Sequence, residues 1–123
     1  MVKLNIVSIR GAITLEKNNK LEILNSTEEL LSEIEKQNDL SKEKVISILF
    51  SATKDLNATY PARAARNLGY TEASLMCFNE MEVVDSLEKC IRVMVLYKCN
   101  LEQKDVKHVY LREAKALRPD LNK

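Results

Sequence analysis

The sequence predicts a single α/β domain in which a mixed five-stranded sheet is packed by helices. Strand-like and helix-like segments alternate along the chain, and their apolar residues follow the two corresponding periods. A length of 123 residues allows one hydrophobic core and not two. Hydrophobic residues make up 46% and charged residues 30%, a composition typical of a globular domain. We therefore interpret residues 1–123 as one domain.

The first two elements are a strand and a long helix. Residues 4–10 are predicted to form the strand, which we expect to end at Gly11. The helix is expected from about residue 19 to 36, because leucine and isoleucine recur there at helical spacing and acidic residues occupy the opposite side. Asn38 and Asp39 break the pattern and end the helix.

A second strand and a second helix follow. Ser41 is suited to cap one helical turn, and the β-branched run at residues 45–50 is typical of a buried strand. Pro61 and Gly69 then bracket a short helix, because proline is tolerated at the first helical position and glycine favours the end.

Three further strands complete the sheet, at residues 73–78, 91–97 and 107–112. The last alternates clearly, with Val109 and Leu111 on one face and polar residues on the other. A sheet of this size covers only one face with its own helices. The other face must find a partner, so we expect a symmetric oligomer.

Composition excludes several classes of function. With 19 basic and 18 acidic residues, the net charge of +1 is too small for a protein that binds phosphate backbones. Two glycines cannot build a glycine-rich phosphate loop, and His108 alone leaves little for a catalytic relay. Cys77, Cys90 and Cys99 form no Cys-x-x-Cys pair, so we expect free thiols and no metal site. With no long apolar segment at the start, we expect a cytoplasmic protein.

Arginines are the most informative polar residues. Arg10, Arg92 and Arg118 border strands or apolar stretches, and several converging guanidinium groups favour a ligand with two or three carboxylates. Arg92 lies on an apolar strand face, where an unpaired charge would be costly. It therefore needs an anion, which is either Glu80 or Glu82 in an internal ion pair, or a bound ligand.

Four other side chains are weaker candidates, and each has an ordinary structural explanation. Cys77 is suited to filling the core, and Glu80 to a solvated loop. Tyr110 could make a common cross-strand contact, and Tyr60 could pack at the entry of the second helix.

Short segments spread over nearly the whole chain have an order and spacing that together are highly specific for one protein family. They are Ile9-Arg10-Gly11-Ala12, Ser51-Ala52-Thr53 with Asp55-Leu56, Pro61-Ala62-Arg63-Ala64 with Arg66, Cys77 and Glu80-Met81, Cys90-Ile91-Arg92-Val93, His108-Val109-Tyr110-Leu111, and Leu117-Arg118-Pro119-Asp120-Leu121. In these segments the chain resembles the small monofunctional chorismate mutases of the trimeric α/β-barrel class, which are unrelated to the all-helical chorismate mutases.

The resemblance implies an isomerase that rearranges chorismate to prephenate in phenylalanine and tyrosine biosynthesis, without a cofactor. It implies a homotrimer, a pseudo α/β barrel, with sites between subunits. Arg92 would face the ether oxygen and a carboxylate, Arg10 a carboxylate, Glu80 and Cys77 the ring hydroxyl, and Tyr110 a carboxylate. The residues that would line the entrance or close the C-terminal side are Tyr60, Ala62, Arg63, Arg66 and Leu117.

The chain departs from the family pattern at three places. The family usually has Phe at the position of Tyr60, Lys at that of Arg63, and a Gly-Gly pair at 85–86, where this chain has Asp and Ser. Strict alternation also puts Cys77 and Glu80 on opposite faces of the third strand. Either the chain bends between them, or the two residues serve different sites of a trimer.

Two other functions remain open from the residues. A small trimeric imine hydrolase has a related fold and an interfacial arginine, but it would not use Glu80, Cys77, Arg10 and Tyr110 as a set. A sensor of aromatic metabolites would bind a carboxylate without turnover. Loss of chorismate absorbance on adding the protein would distinguish the three.

Overall fold

A computed structural model describes residues 4–121 of the chain. Its strands are β1 (Asn5–Thr14), β2 (Val45–Ala52), β3 (Ser74–Asn79), β4 (Cys90–Cys99) and β5 (Val109–Leu111). Its helices are α1 (Lys20–Asn38) and α2 (Ala62–Asn67), with short 3-10 turns between other elements. The strands form one sheet in the order β3-β2-β4-β1-β5. β4 is antiparallel to β1 and β2, whereas β5 runs parallel to β1 and β3 parallel to β2. The predicted mixed five-stranded sheet is confirmed.

The long helix begins and ends at polar residues that act as caps. The Asn19 side chain accepts a hydrogen bond from the backbone N–H of Glu22 at 2.7 Å, which satisfies one of the unpaired amides of the first turn. Asp39 ends the helix in the left-handed conformation, with φ of 51°. The helix runs through Asn38, two residues beyond the prediction. There the Asn38 side chain pairs with the backbone N–H and C=O of Lys107, which ties α1 to the approach to β5.

The hydrophobic core lies between one face of the sheet and the two helices. Ile9, Ile48 and Phe50 of the sheet and Ile23 and Leu30 of α1 are all completely buried there. A fully buried aliphatic or aromatic side chain contributes about 1.5–3 kcal/mol relative to its exposed state. Burial of this face therefore accounts for most of the hydrophobic stabilisation of the domain.

Gly11 does not end the first strand, and that expectation is wrong. β1 continues to Thr14, and Gly11 lies in it opposite Val109 of β5. A Cβ atom at Gly11 would lie 2.8 Å from the carbonyl oxygen of Val109 and 2.9 Å from Cδ1 of Ile34. The glycine thus marks a close approach of β5 and α1, not a turn.

The remaining element boundaries follow from local contacts. The 3-10 turn Lys42–Lys44 forms as expected, but the Ser41 side chain makes no cap, and its backbone N–H donates instead to the hydroxyl of Tyr97 at 2.9 Å. Pro61 lies one residue before α2 with helical φ, and Gly69 follows the helix at φ of 98°. β5 is shorter than predicted, because Arg112 adopts a left-handed conformation with φ of 56° and starts a 3-10 turn.

The second face of the sheet is not covered by α1 or α2, and at its β5 end the 3-10 turn Arg112–Leu117 packs on it through Ala114. Ile6, Met76 and Phe78 on this face are 66%, 56% and 49% exposed. Exposed apolar patches of this kind mark interaction surfaces, which agrees with the expectation of a partner. Within residues 4–121, no helix is both long and apolar enough to cross a membrane.

Replacing Gly11 by alanine tests the close approach of β5. We expect Gly11→Ala to lower the free energy of unfolding by about 1–3 kcal/mol, because the methyl group must displace a backbone carbonyl and two core side chains. Urea denaturation followed by circular dichroism measures this change. An unchanged midpoint would contradict the packing described for β1.

Candidate functional site

One row of side chains crosses the uncovered face of the sheet from edge to edge. In register across β3, β2, β4, β1 and β5, the row is Phe78, Ser51, Arg92, Ala12 and Tyr110. Residues directly opposite on neighbouring strands point to the same face. Arg92 therefore lies at the centre of the sheet. Ser51 is its neighbour on one side, and Ala12 followed by the buried Tyr110 lies on the other.

Arg92 forms an ion pair with Glu80. The distance from Nε to Oε2 is 3.0 Å, and the two side chains are only 34% and 24% exposed. The Ser51 hydroxyl donates to the same Oε2 at 2.9 Å, and the backbone N–H of Glu80 donates to Ala52 at 2.9 Å. Of the two predicted partners, Glu80 is therefore correct, while Glu82 pairs with Lys54 at 2.6 Å.

The Arg92–Glu80 pair leaves the guanidinium incompletely satisfied. Nε of Arg92 is buried and makes no well-aligned hydrogen bond among the described residues, although the carboxylate is close. A buried donor without an aligned acceptor is uncommon in a folded protein and needs an explanation. Glu80 is the nearest acceptor to Nε, and an anionic ligand on this face would supply further oxygen atoms to the exposed part of the guanidinium.

Cys90 lies beside the same guanidinium at the start of β4. Burial raises the pKa of its thiol, and hydrogen bonding and charge from Arg92 act in the opposite direction. The thiol is 3% exposed and packs against Ala12, Tyr110 and Ala114. Cys90 is thus a neutral packing group near neutral pH, and Arg92 is its charged neighbour.

Tyr110 carries the second unsatisfied polar group of this face. The residue is 5% exposed, and its hydroxyl is buried without a hydrogen bond of good geometry among the described residues. Its ring belongs to a small apolar cluster with Ala12 and Cys90, against which Leu117 packs. A buried phenol in this position is suited to donate a hydrogen bond to a ligand.

Arg10 lies next to this row, with its backbone held by His108. The exposed Arg10 is paired across the sheet with Met94, and its N–H donates to Nδ1 of His108 at 2.9 Å. Burial, then the charges of Arg118 and Arg10, lower the pKa of His108 from its ordinary value of 6.5. His108 is therefore neutral at pH 7, with Nδ1 free to accept this bond.

Arg118 adds a third guanidinium at the C-terminal side. It forms an ion pair with Asp120 at 3.0 Å, and hydrogen bonding to this carboxylate, with a smaller contribution from Tyr110, raises its pKa. Guanidinium groups such as those of Arg10, Arg92 and Arg118 are suited to an anion with more than one carboxylate. Arg112 does not join them, because its guanidinium turns to Thr14, Ser26 and Glu29 instead.

The other predicted site residues lie elsewhere. Cys77 pairs in register with Phe50 and packs against the helix-side core, so β3 does not bend and Cys77 faces away from Glu80. Ala62 is buried in the same core, and Tyr60, Arg63 and Arg66 are exposed at or near α2. The alternation of β3 thus separates the predicted site into two groups within one chain.

The second group of predicted site residues is Cys77, Tyr60, Ala62, Arg63 and Arg66, and an open cleft lies beside Arg66. Its volume is about 350 Å³, and it is lined by Arg66, Tyr70, Thr71, Ala73 and Leu75. The cleft lies at the edge of the sheet formed by β3, where no further strand covers it in the described chain. It places Arg66 at an edge that a second molecule can approach.

Three residues that contact the site were not assigned a role from the sequence. Ser51 orients Glu80, His108 holds the backbone of Arg10, and Thr53 bonds the start of β4. For Ser51 the signal was present, because alternation along β2 places it opposite in direction to the buried Phe50. The other two depend on contacts between strands that are distant in sequence.

The fold is that of a small α+β protein whose uncovered sheet face carries arginine side chains. The family model for chorismate mutase type I matches residues 6–121. The chain is 43% identical to the chorismate mutase AroH of Bacillus subtilis (strain 168) over 118 residues, 95% of this chain and 93% of that protein. It is 42% identical to that of Thermus thermophilus over 114 residues, 92% of this chain and 93% of that protein.

The solved structures agree with these relatives. A chorismate mutase from Clostridium thermocellum superposes with a TM-score of 0.87 and is 50% identical, covering 89% of this chain and 97% of that chain. The chain belongs to the type I chorismate mutases. It is therefore an isomerase.

Proposed function

We propose that this chorismate mutase selects a reactive conformer of chorismate and stabilises the charge that develops on its ether oxygen. The rearrangement to prephenate is a one-step pericyclic reaction in which one C–O bond breaks and one C–C bond forms. No proton moves and no nucleophile attacks. The enzyme must hold the diaxial, chair-like conformer, in which the reacting carbons are aligned, and it must provide positive charge beside the oxygen.

Arg92 supplies that positive charge. The observation that carries this proposal is the position of the guanidinium at the centre of the uncovered sheet face, where Nε faces Glu80 and the side chain is still 34% exposed. Glu80 keeps the guanidinium in place at 3.0 Å, and the substrate provides the remaining acceptors. Because an arginine stays charged throughout the accessible pH range, it acts without any proton transfer.

The neighbouring groups bind the rest of the substrate. Arg10 pairs with a carboxylate, and the buried hydroxyl of Tyr110 donates to a carboxylate. Glu80, which Ser51 orients, accepts a hydrogen bond from the ring hydroxyl. Leu117, which packs on the cluster around Tyr110, closes the C-terminal side. Together these contacts restrict the substrate to the compact conformer.

The second group of residues completes the site from a neighbouring subunit of a homotrimer. Cys77 would meet the ring hydroxyl, and Tyr60, Ala62, Arg63 and Arg66 would line the entrance. Their separation from Arg92 within one chain supports a site between subunits. The exposed apolar side chains of the uncovered sheet face, Ile6, Met76 and Phe78, support an extensive interface.

Two broader assignments accompany this mechanism. We place the whole chain, 1–123, in one chorismate mutase domain, which the single sheet and the match over residues 6–121 support. We also place the enzyme in the cytoplasm, in phenylalanine and tyrosine biosynthesis. The three free cysteines support a reducing compartment.

Replacing the charge of Arg92 without changing its shape tests the mechanism most simply. With citrulline at position 92, we expect kcat to fall by a factor of about 100 to 1000, equivalent to about 3–4 kcal/mol, while substrate binding changes by less than about tenfold. Arg92→Lys keeps the charge but loses the planar fork, so it should recover only part of the rate. Stopped-flow and steady-state absorbance of chorismate measure both quantities.

The citrulline variant also tests whether Arg92 has only a structural role. If Arg92 serves only as the structural partner of Glu80, the citrulline variant will lose thermal stability while its folded fraction keeps a near-normal kcat. Measuring the melting temperature and kcat on the same preparation distinguishes the two roles.

Mixed oligomers test whether the site is shared between subunits. We expect co-expressed Arg92→Ala chains and Arg63→Ala/Arg66→Ala chains to form mixed trimers in which about a third of the sites are intact, because each variant supplies the half that the other lacks. The control pair, Arg92→Ala with Arg10→Ala, should recover nothing, because both changes affect the same half. Chorismate turnover of doubly tagged oligomers is the measurement, and an active monomer by light scattering at micromolar concentration would contradict the proposal.

The pH profile tests the absence of acid–base chemistry. His108, whose pKa is lowered below 6.5, stays neutral above that pH, and Cys90, whose pKa burial raises above 9.0, stays a thiol below it. We therefore expect kcat/KM to vary little between about pH 6.5 and 9. A bell-shaped profile centred near neutrality would identify a general acid or base and contradict the mechanism.

A further inference from the structure

The entry to β4 is held by side chains that no catalytic role explains. The backbone N–H of Lys89 donates to both carboxylate oxygens of Asp55, at 3.0 and 3.2 Å. The backbone N–H of Cys90 donates to the hydroxyl oxygen of Thr53 at 3.0 Å, and the Cys90 carbonyl accepts from the N–H of Thr53 at 3.1 Å. The carbonyl of Lys89 accepts from the N–H of Leu15 at 2.8 Å. Both residues ahead of Ile91 and Arg92 are therefore fixed.

The Thr53 hydroxyl is held in one orientation. It donates its hydrogen to Oδ1 of Asp55, so its lone pairs remain for the N–H of Cys90. Asp55 in turn accepts from Lys89, which closes a ring of hydrogen bonds between the end of β2 and the start of β4. We call Thr53 and Asp55, with the two amides that they bind, the β4 clasp.

Lys89 has a backbone conformation that requires such support. Its φ of 46° lies in the left-handed region, which a residue with a side chain rarely adopts. Unfavourable backbone conformations persist where surrounding contacts impose them, and they cluster at functional sites. In Lys89 the N–H and the C=O are both bonded to other elements, so the clasp and β1 together impose the turn.

The segment that carries the clasp also holds the partner of Arg92. Ser51 donates to the Glu80 carboxylate, and the carbonyl of Ala52 accepts the N–H of Glu80. Residues 51–55 thus bind Glu80 at one end and the peptide groups before Arg92 at the other. They therefore connect the carboxylate of Glu80 to the start of the strand that carries Arg92.

We propose that Thr53 and Asp55 are positioning residues that set the direction of the Arg92 guanidinium at the ether oxygen. This inference rests on the proposed role of Arg92 as the charge that stabilises the transition state. The guanidinium lies at the end of a long side chain, so a small rotation of the backbone at Cys90 becomes a larger displacement at its nitrogen atoms. Displacements of about 1 Å in an active site can reduce the rate by a factor of about 100.

A double-mutant cycle with Arg92 tests this proposal. Thr53→Val keeps the shape of the side chain and removes the hydroxyl, and we expect it to lower kcat by about ten- to a hundredfold with KM within about threefold. Thr53→Ser retains the hydroxyl and should restore most of the lost kcat. In the Arg92→Lys background, Thr53→Val should change kcat by less than about twofold, because the planar fork that the clasp orients is already absent.

Two further variants keep the test decisive. Thr27→Val removes another buried threonine hydroxyl, which donates to the Ile23 carbonyl within α1, and it should lower the melting temperature without the loss of kcat. Asp55→Asn removes one acceptor and the charge from the clasp, and it should reproduce the fall in kcat if Thr53→Val does not fold.

The outcomes separate the two proposals. If Arg92→Lys and the citrulline variant keep a normal kcat, the proposed role of Arg92 is wrong. If they lose kcat while Thr53→Val and Asp55→Asn change only the melting temperature, the clasp is structural and the further inference is wrong. The further inference is also wrong if Thr53→Val lowers kcat by the same factor in the wild-type and Arg92→Lys backgrounds.

Discussion

The contact between Arg92 and Glu80 is the constraint on which the rest of the site depends. A guanidinium near the centre of an apolar sheet face is costly to bury, and one carboxylate at 3.0 Å offsets part of that cost without satisfying every donor. The Arg92 side chain is still 34% exposed on the uncovered side of the sheet, and we propose that its other donors bind the substrate there. Ser51 fixes the carboxylate, and the clasp at Thr53 and Asp55 fixes the strand that carries the arginine.

This arrangement explains why so simple a set of residues can catalyse a reaction. A pericyclic rearrangement needs a shaped space and a fixed charge, which rigid strands provide better than loops. The helices of the scaffold pack on one face of the sheet, and we propose that the other face binds substrate and neighbouring subunits. Gly11 contributes indirectly, because its missing side chain lets β5 approach β1 and bring Tyr110 into the row with Arg92.

Features that depend on near neighbours in sequence were predictable. The helix α1 was placed within two residues, since its apolar period and its Asp39 terminus are local signals. The period of a strand put Cys77 and Glu80 on opposite faces but left a bend between them open, and the regular pairing of β3 with β2 decides against the bend. Gly11 was misinterpreted, because its meaning depends on the carbonyl of Val109, which lies 98 positions away. The contact of His108 with Arg10 was missed for the same reason, with 98 positions between the two residues.

In the proposed mechanism, the guanidinium of Arg92, already paired with Glu80, gains a further acceptor from the transition state. The most direct measurement is the 15N–1H spectrum of the Arg92 side chain before and after saturation with a rigid bicyclic ether dicarboxylate shaped like that state. We predict that the Arg92 N–H signals move downfield and exchange more slowly with water, while Arg92 keeps its ion pair with Glu80. Signals that stay unchanged when the analogue is bound would contradict the claim.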